Sequence, residues 1–287
     1  MDMSKLPHPE SSVKKMFDMS DRNILITGGS GYLGLHFAEA VSEMGGFPIL
    51  LSSDNDEINQ AVEKLNNKDI DCASYIVDIT NSETIIDAVK DIKMKYNSID
   101  VLINAAAFAM KNLIEGGKEF FDPFEEYKEN LWQVMLDVNL TGTFLVTQAV
   151  GKIMKKQKKG SIINIASVVA MISPDHRTYK PNAKYNYKGV SFNTPISYPV
   201  TKAGLLAFTK YLATYWAKDG IRVNSISPSG VYRGHDKKFV EQLAYRIPLG
   251  RMAFPEELKG GIVFLASDAS SYITGENLVI DGGYSIW

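Results

Sequence analysis

From Arg22 onward, short runs of aliphatic and β-branched residues alternate with longer stretches whose apolar positions recur at helical spacing. Asn23 to Thr27 (NILIT) precedes a stretch in which Leu33, Phe37, Val41 and Met44 share one helical face, and Gly45-Gly46 ends it. There follow Pro48 to Leu51, a helix near Glu57 to Asn66, Ala73 to Val77, a helix near Ser82 to Tyr96, and Asp100 to Asn104. The second half continues with a long helical region around Phe124 to Lys156, Ser161 to Ser167, a helix from about Ser197 to Lys218, and Ile221 to Ser227. A loop, a short helix near Pro255 to Ala266 and the run Asn277 to Asp281 complete the chain. The strand runs are nearly all apolar, which suits parallel strands covered by helices on both faces. The pattern predicts a doubly wound α/β sheet, and the lack of a linker or internal repeat predicts a single domain.

Composition narrows the partners. The 287 residues, 45% hydrophobic and 22% charged, are those of an ordinary globular chain. Lys plus Arg number 31 against 33 Asp plus Glu, a net charge of −2, so the global basic field that nucleic acid requires is missing. Cys72 is the single cysteine and the four histidines are scattered, so neither a disulfide framework nor a metal site is expected. The first residues carry no apolar leader and no run approaches a membrane span, so a cytoplasmic protein is expected.

The first candidate chemistry is the turn Thr27-Gly28-Gly29-Ser30-Gly31-Tyr32-Leu33-Gly34, between the first strand and its helix. Glycines there let the backbone turn sharply and approach a pyrophosphate, whose charge the free N–H groups of the helix start can hold. After the second strand stand Ser52-Ser53-Asp54, with no Arg or Lys in the turn or the triplet. An acid there can accept from a ribose 2′-OH and repels a 2′-phosphate, which favours NAD over NADP; Asp54 could instead cap the next helix. Asp78, after the third strand, could likewise meet the adenine or cap the helix near Ser82.

Tyr198 and Lys202 lie four residues apart at the start of a predicted helix, with Pro199 tolerated in its first turn. A free tyrosine titrates near ~10, and a neighbouring ammonium favours its phenolate, bringing proton exchange with a carbonyl or alcohol oxygen within reach. With Asn104-Ala105-Ala106-Ala107, Val138-Asn139-Leu140, Ala166-Ser167-Val168, Tyr198-Pro199-Val200-Thr201-Lys202, Arg222-Val223-Asn224, Ser227-Pro228-Ser229-Gly230 and Asp281-Gly282-Gly283, the chain resembles the short-chain dehydrogenase/reductase family over Asn23 to Trp287. The resemblance implies a Rossmann-type sheet and catalytic roles for Asn139, Ser167, Tyr198 and Lys202. Tyr198 would exchange the proton, Ser167 would hydrogen-bond the reacting oxygen, Lys202 would hold the nicotinamide ribose, and Asn139 would hold a relay water. It implies cofactor contacts at Gly28, Ser30, Tyr32, Leu33, Ser53, Asp54, Asp78, Ile79, Asn104, Ala105, Tyr198, Lys202 and Val231. Structural alternatives are a strand-end hydroxyl for Ser167, a kink residue for Asn139 and a solvated charge for Lys202. Two departures stand out: Tyr32 where the family's usual turn has glycine, and Ser229 after Pro228.

Read as domains, residues 1–21 form an arm and residues 22–287 the catalytic domain, with insertions at 108–123 and 174–195. The second insertion carries Arg177, Lys180, Lys184 and Lys188 against Asp175, and Arg233, His235, Lys237 and Lys238 follow the sixth strand. This predicts a polar, hydroxylated, anionic substrate such as a sugar, sugar phosphate or nucleotide sugar, bound through Ser167, Arg177 and Tyr198. Phe120, Phe121 and Phe124 are expected to pack as a local core. The long loop between Ser167 and Tyr198 and the YITGENLVIDGGYSIW ending resemble family members linked to flagellin modification and surface-polysaccharide sugar synthesis. A 3-oxoacyl-carrier-protein reductase and a non-catalytic dinucleotide-binding regulatory module are the alternatives. A homodimer or homotetramer is implied by the family.

Overall fold

The computed structural model describes residues 10–108, 112, 118–176, 186–187, 190–191 and 193–287. Seven strands form one sheet: β1 (Asn23–Thr27), β2 (Phe47–Ser52), β3 (Ala73–Ile76), β4 (Val101–Asn104), β5 (Gly160–Ile165), β6 (Ile221–Pro228) and β7 (Asn277–Ile280). Their spatial order is β3-β2-β1-β4-β5-β6-β7 and every pairing is parallel, the predicted doubly wound arrangement. Alternate strand residues supply two cores. Leu25, Leu51, Leu102, Ile162 and Val223 face the helices Ser82–Tyr96 (α3), Thr143–Gln157 (α5) and Ser197–Trp216 (α6). Ile26, Leu50, Ile103, Ile163 and Ile226 face Tyr32–Glu43 (α1), Asn55–Asn66 (α2) and Glu256–Ala266 (α8). Each such buried aliphatic side chain contributes about 1.5–3 kcal/mol, so the central strands carry the fold. The edges are less apolar: β3 alternates half-buried and exposed positions.

Three local readings change. The long helical region is broken into a 3₁₀ turn at Phe124–Glu126, α4 (Glu129–Leu136), a π-helical segment Asp137–Gly142, and α5. The expected loop after β6 contains a helix, α7 (Lys237–Arg246), whose N-cap Asp236 accepts from the N–H groups of Lys238 and Phe239; the cap signal stood in the sequence. Phe124 does not join a local core: it is 74% exposed, whereas Phe120 is buried against Leu131 and Met135. The described part of the arm is docked, since Met19 is buried and its N–H donates to Met44 O at 2.8 Å.

The carboxyl ends of β1, β4, β5 and β6 open onto a cleft of about 820 Å³, at the point between β1 and β4 where the winding reverses. Arg177, Lys180, Lys184 and Lys188 lie outside the described residues, as do residues 109–111 and 113–117 of the first insertion. Of the second insertion, residues 174–176 and 193–195 are described, with a short antiparallel pairing of Asn186–Tyr187 with Val190–Ser191.

Candidate active site

The glycine turn is built as its sequence demands. Gly28 has φ +64, and a Cβ there would stand 2.8 Å from Ala106 Cα; one on Gly34 would stand 2.2 Å from Gly28 O. Gly31 is the N-cap of α1 with no side-chain cap, so the first-turn N–H groups have no capping acceptor of their own. Thr27 Oγ1 accepts from Ala105 and Ala106 N–H, both at 3.1 Å, tying the turn to the end of β4. Ser30 Oγ donates to Ser52 Oγ at 2.8 Å, so Ser52, a residue the spacing alone did not single out, joins the turn to β2.

Beside β2 and β3 the cleft is lined by Ser53, Asp54, Glu57, Asp78 and Ile79. Asp54 does cap α2, accepting from Glu57 N–H at 2.9 Å, and still lines the cleft. Asp78 is not the cap of α3, a place taken by Asn81; it holds the Thr80 N–H and hydroxyl at 2.9 and 2.8 Å. Asn104 lies beneath the cleft rather than along it. Its amide donates to Thr147 Oγ1 and Asn164 Oδ1, and Asn164 donates in turn to Thr209, a buried ladder that locks β4 and β5 to α5 and α6.

At the other end Ser167, Tyr198 and Lys202 line the same cleft. Ser167 stands just past β5 and begins a 3₁₀ turn, accepting from Val169 N–H. Tyr198 and Lys202 project from the first two turns of α6, with the Lys202 Nζ 5.7 Å from the Tyr198 ring centre. The ammonium is buried and donates to Ile165 O at 2.6 Å, and burial pushes its pKa down to about 8, so it stays positive at neutral pH. Asn139 sits in the π-helical segment, a distortion common at functional sites. Its Oδ1 accepts from Phe108 N–H at 2.6 Å and its Nδ2 donates to Thr201 Oγ1 at 3.3 Å, which fixes α6 beside the first insertion.

The loop after β6 closes the mouth. Val231 lines the cleft and bridges to Ala253. The Tyr32 hydroxyl donates to Tyr232 O at 2.8 Å, and the Arg233 guanidinium lies 4.9 Å over the Tyr32 ring. Burial, then Arg233, lowers the His235 pKa. Asp175 also lines the cleft and pairs with Arg246 of α7. Asn112, Asn193 and Thr194 complete a polar wall.

These features fit a dinucleotide: a cradle that any Cβ would fill, an uncapped helix start, and the Ser229 Oγ buried beside the cleft without a partner among the described residues. Fold and cleft together are those of a dinucleotide-binding α/β protein. Residues 22–184 match the family model described as short chain dehydrogenase, and residues 182–285 match that described as Enoyl-(Acyl carrier protein) reductase. The chain belongs to the short-chain dehydrogenase/reductase family. It is 33% identical to the NAD-dependent glycerol dehydrogenase of Listeria innocua, covering 95% of this chain and 97% of that one. It is 32% identical to the 3-oxoacyl-[acyl-carrier-protein] reductase of Thermotoga maritima, over 91% and 97%. A gluconate 5-dehydrogenase from Burkholderia cenocepacia, solved with NADP and tartrate, superposes with a TM-score of 0.82 at 25% identity, covering 96% of this chain and 100% of that one. A short chain dehydrogenase from Leptospira borgpetersenii with bound NAD+ gives 0.78 at 33% identity, over 98% and 99%. Among the described residues no helix is long and apolar enough to cross a membrane.

Proposed function

We propose that the protein moves hydride between NAD(H) and a secondary alcohol or ketone of a polyol, sugar or sugar acid. The observation that carries this reading is the convergence of Ser167, Tyr198 and Lys202 on the cleft that also holds the glycine turn. When bound, the nicotinamide supplies or takes up the hydride. In reduction, the Tyr198 hydroxyl gives its proton to the substrate oxygen, and the Ser167 hydroxyl donates a hydrogen bond to that oxygen as its charge grows. The Lys202 ammonium stabilises the phenolate left behind, and Asn139 holds the helix that presents both residues. Oxidation runs the same transfers backwards.

Three carboxylates, Asp54, Glu57 and Asp78, and no Lys or Arg line the described wall near β2 and β3, which favours a ribose 2′-OH over a 2′-phosphate and so NAD(H) over NADP(H). The polar wall of Asn112, Asn193 and Thr194 supports a hydroxylated substrate, in keeping with relatives named for glycerol and gluconate. These names carry nothing about flagellin or surface polysaccharide, so the reading stays with polyols, sugars and sugar acids. The same reading takes residues 22–287 as one catalytic domain working in the cytoplasm as a homodimer or homotetramer. Exposed Phe144, Val200, Tyr211 and Tyr215 on α5 and α6 support the self-association. A panel of polyols, sugars, aldonates, sugar phosphates, nucleotide sugars and acyl thioesters, each with NAD(H) and NADP(H), tests it by absorbance of the reduced nicotinamide. Turnover of polyols, sugars or sugar acids is expected. Turnover of acyl thioesters alone would select the 3-oxoacyl-carrier-protein reductase named among the relatives, and binding without turnover a regulatory module.

A further inference from the structure

We propose that Arg233, on the loop after β6, is the counter-ion of the dinucleotide's diphosphate, held in readiness by the Tyr32 ring. The proposal rests on the dinucleotide reading above. Charge makes the first case. The described wall of the cleft carries Asp54, Glu57, Asp78 and Asp175, against which only Lys202 and Arg233 stand among lysines and arginines. Lys202 is buried on the Ile165 carbonyl, at the reacting end. A diphosphate brings two more negative charges into a cleft already rich in carboxylates, and among the described lining residues Arg233 is the remaining cation able to meet them.

Geometry makes the second case. Tyr32 is the first residue of α1, whose N-cap Gly31 offers no side-chain cap, and the Arg233 guanidinium stacks 4.9 Å over its ring. The Tyr32 hydroxyl meanwhile holds the Tyr232 carbonyl at 2.8 Å, so the loop is pinned at both its backbone and its charge to the turn that would cradle the phosphates. This gives the tyrosine in the glycine turn a purpose: glycine at that position could hold neither contact. It also moves Arg233 from the substrate side, where its charge suggests an anionic substrate, to the cofactor.

Arg233 is exposed, so its replacement leaves the fold intact, which a melting curve checks. Binding of NAD+, ADP-ribose and adenosine is measured by calorimetry on the wild type, Arg233→Met and Arg233→Lys, at low and high salt. Arg233→Met is expected to raise the Kd of NAD+ and ADP-ribose by one shared factor of about 10- to 100-fold and to flatten their salt dependence, with adenosine unchanged and Arg233→Lys recovering part of the loss. ADP-ribose binding within about twofold of wild type, or an equal loss for adenosine, would overturn the assignment, since a charge-assisted contact is worth more than that and acts only on phosphate. A wild type that binds neither NAD+ nor ADP-ribose would bring down the dinucleotide reading itself.

Discussion

The two ends of the cleft are built by different means. Near β2 and β3, Asp54 and Asp78 are set by neighbours a few residues away: Asp54 by Glu57 at a separation of 3, Asp78 by Thr80 at 2. At the reacting end and the mouth the partners are remote: Asn139 and Phe108 are 31 residues apart, Lys202 and Ile165 37, Tyr32 and Tyr232 200. The first end is a product of strand-end turns and forms wherever those turns form. The second exists only when the whole sheet has closed, and it is there that a buried cation, a π-helical distortion and a strand-end hydroxyl meet. Substitutions at the first end should therefore alter which dinucleotide binds, those at the mouth how tightly it binds, and those at the reacting end whether anything reacts.

The sharpest separation comes from Ser167→Ala, which should lower kcat by roughly 10²- to 10³-fold while leaving NAD+ affinity unchanged, read by steady-state kinetics beside calorimetry. Next is the acid–base cost of the buried ammonium. The Lys202 pKa in the fold, about 8, lies below its ordinary 10.5, so between those values the unfolded chain holds a proton that the native one has lost. Stability should therefore rise with pH from about 8 to about 10.5, by about 3 kcal/mol at most, and this rise should be missing in Lys202→Met when urea denaturation is followed across that range. Asp54→Asn keeps the helix cap and removes the charge; the preference for NAD+ over NADP+ should fall roughly tenfold, measured as the ratio of kcat/KM values. The smallest effect is expected outside both ends. Arg251 and Glu257 form an exposed bidentate pair at 2.6 and 2.7 Å, and Arg251→Ala should cost less than about 1 kcal/mol in denaturant melts and leave catalysis alone.

The same contrast explains what could be read from the chain. The apolar runs, Gly28 to Gly34, and the Tyr198 and Lys202 spacing are local signals, and the sheet, the turn and the α6 pair appear where they were expected. Asn104 reads as a cofactor contact because it ends a strand; its NH2 is taken by Thr147 and Asn164, partners that only the assembled sheet brings near, while its Oδ1 has no partner among the described residues. The break in the helical region around Asn139 is hidden because Leu131, Met135, Val138 and Leu145 keep a helical apolar rhythm through the π-helical segment. Arg233 was legible as a charge but not as a neighbour of Tyr32. The helix α7 is marked in the sequence only by Asp236 and the apolar spacing of Phe239 and Leu243, a short signal inside a polar, charged stretch.

The central claim is that Tyr198 exchanges the proton at the reacting oxygen while the remainder of the cleft binds the dinucleotide. Tyr198→Phe tests it most directly, with kcat and NAD+ Kd measured on the same preparation. The account predicts a fall in kcat of about 10²- to 10⁴-fold with a Kd within about twofold of wild type. Turnover left at the wild-type level, or a Kd weakened as much as kcat, would contradict it.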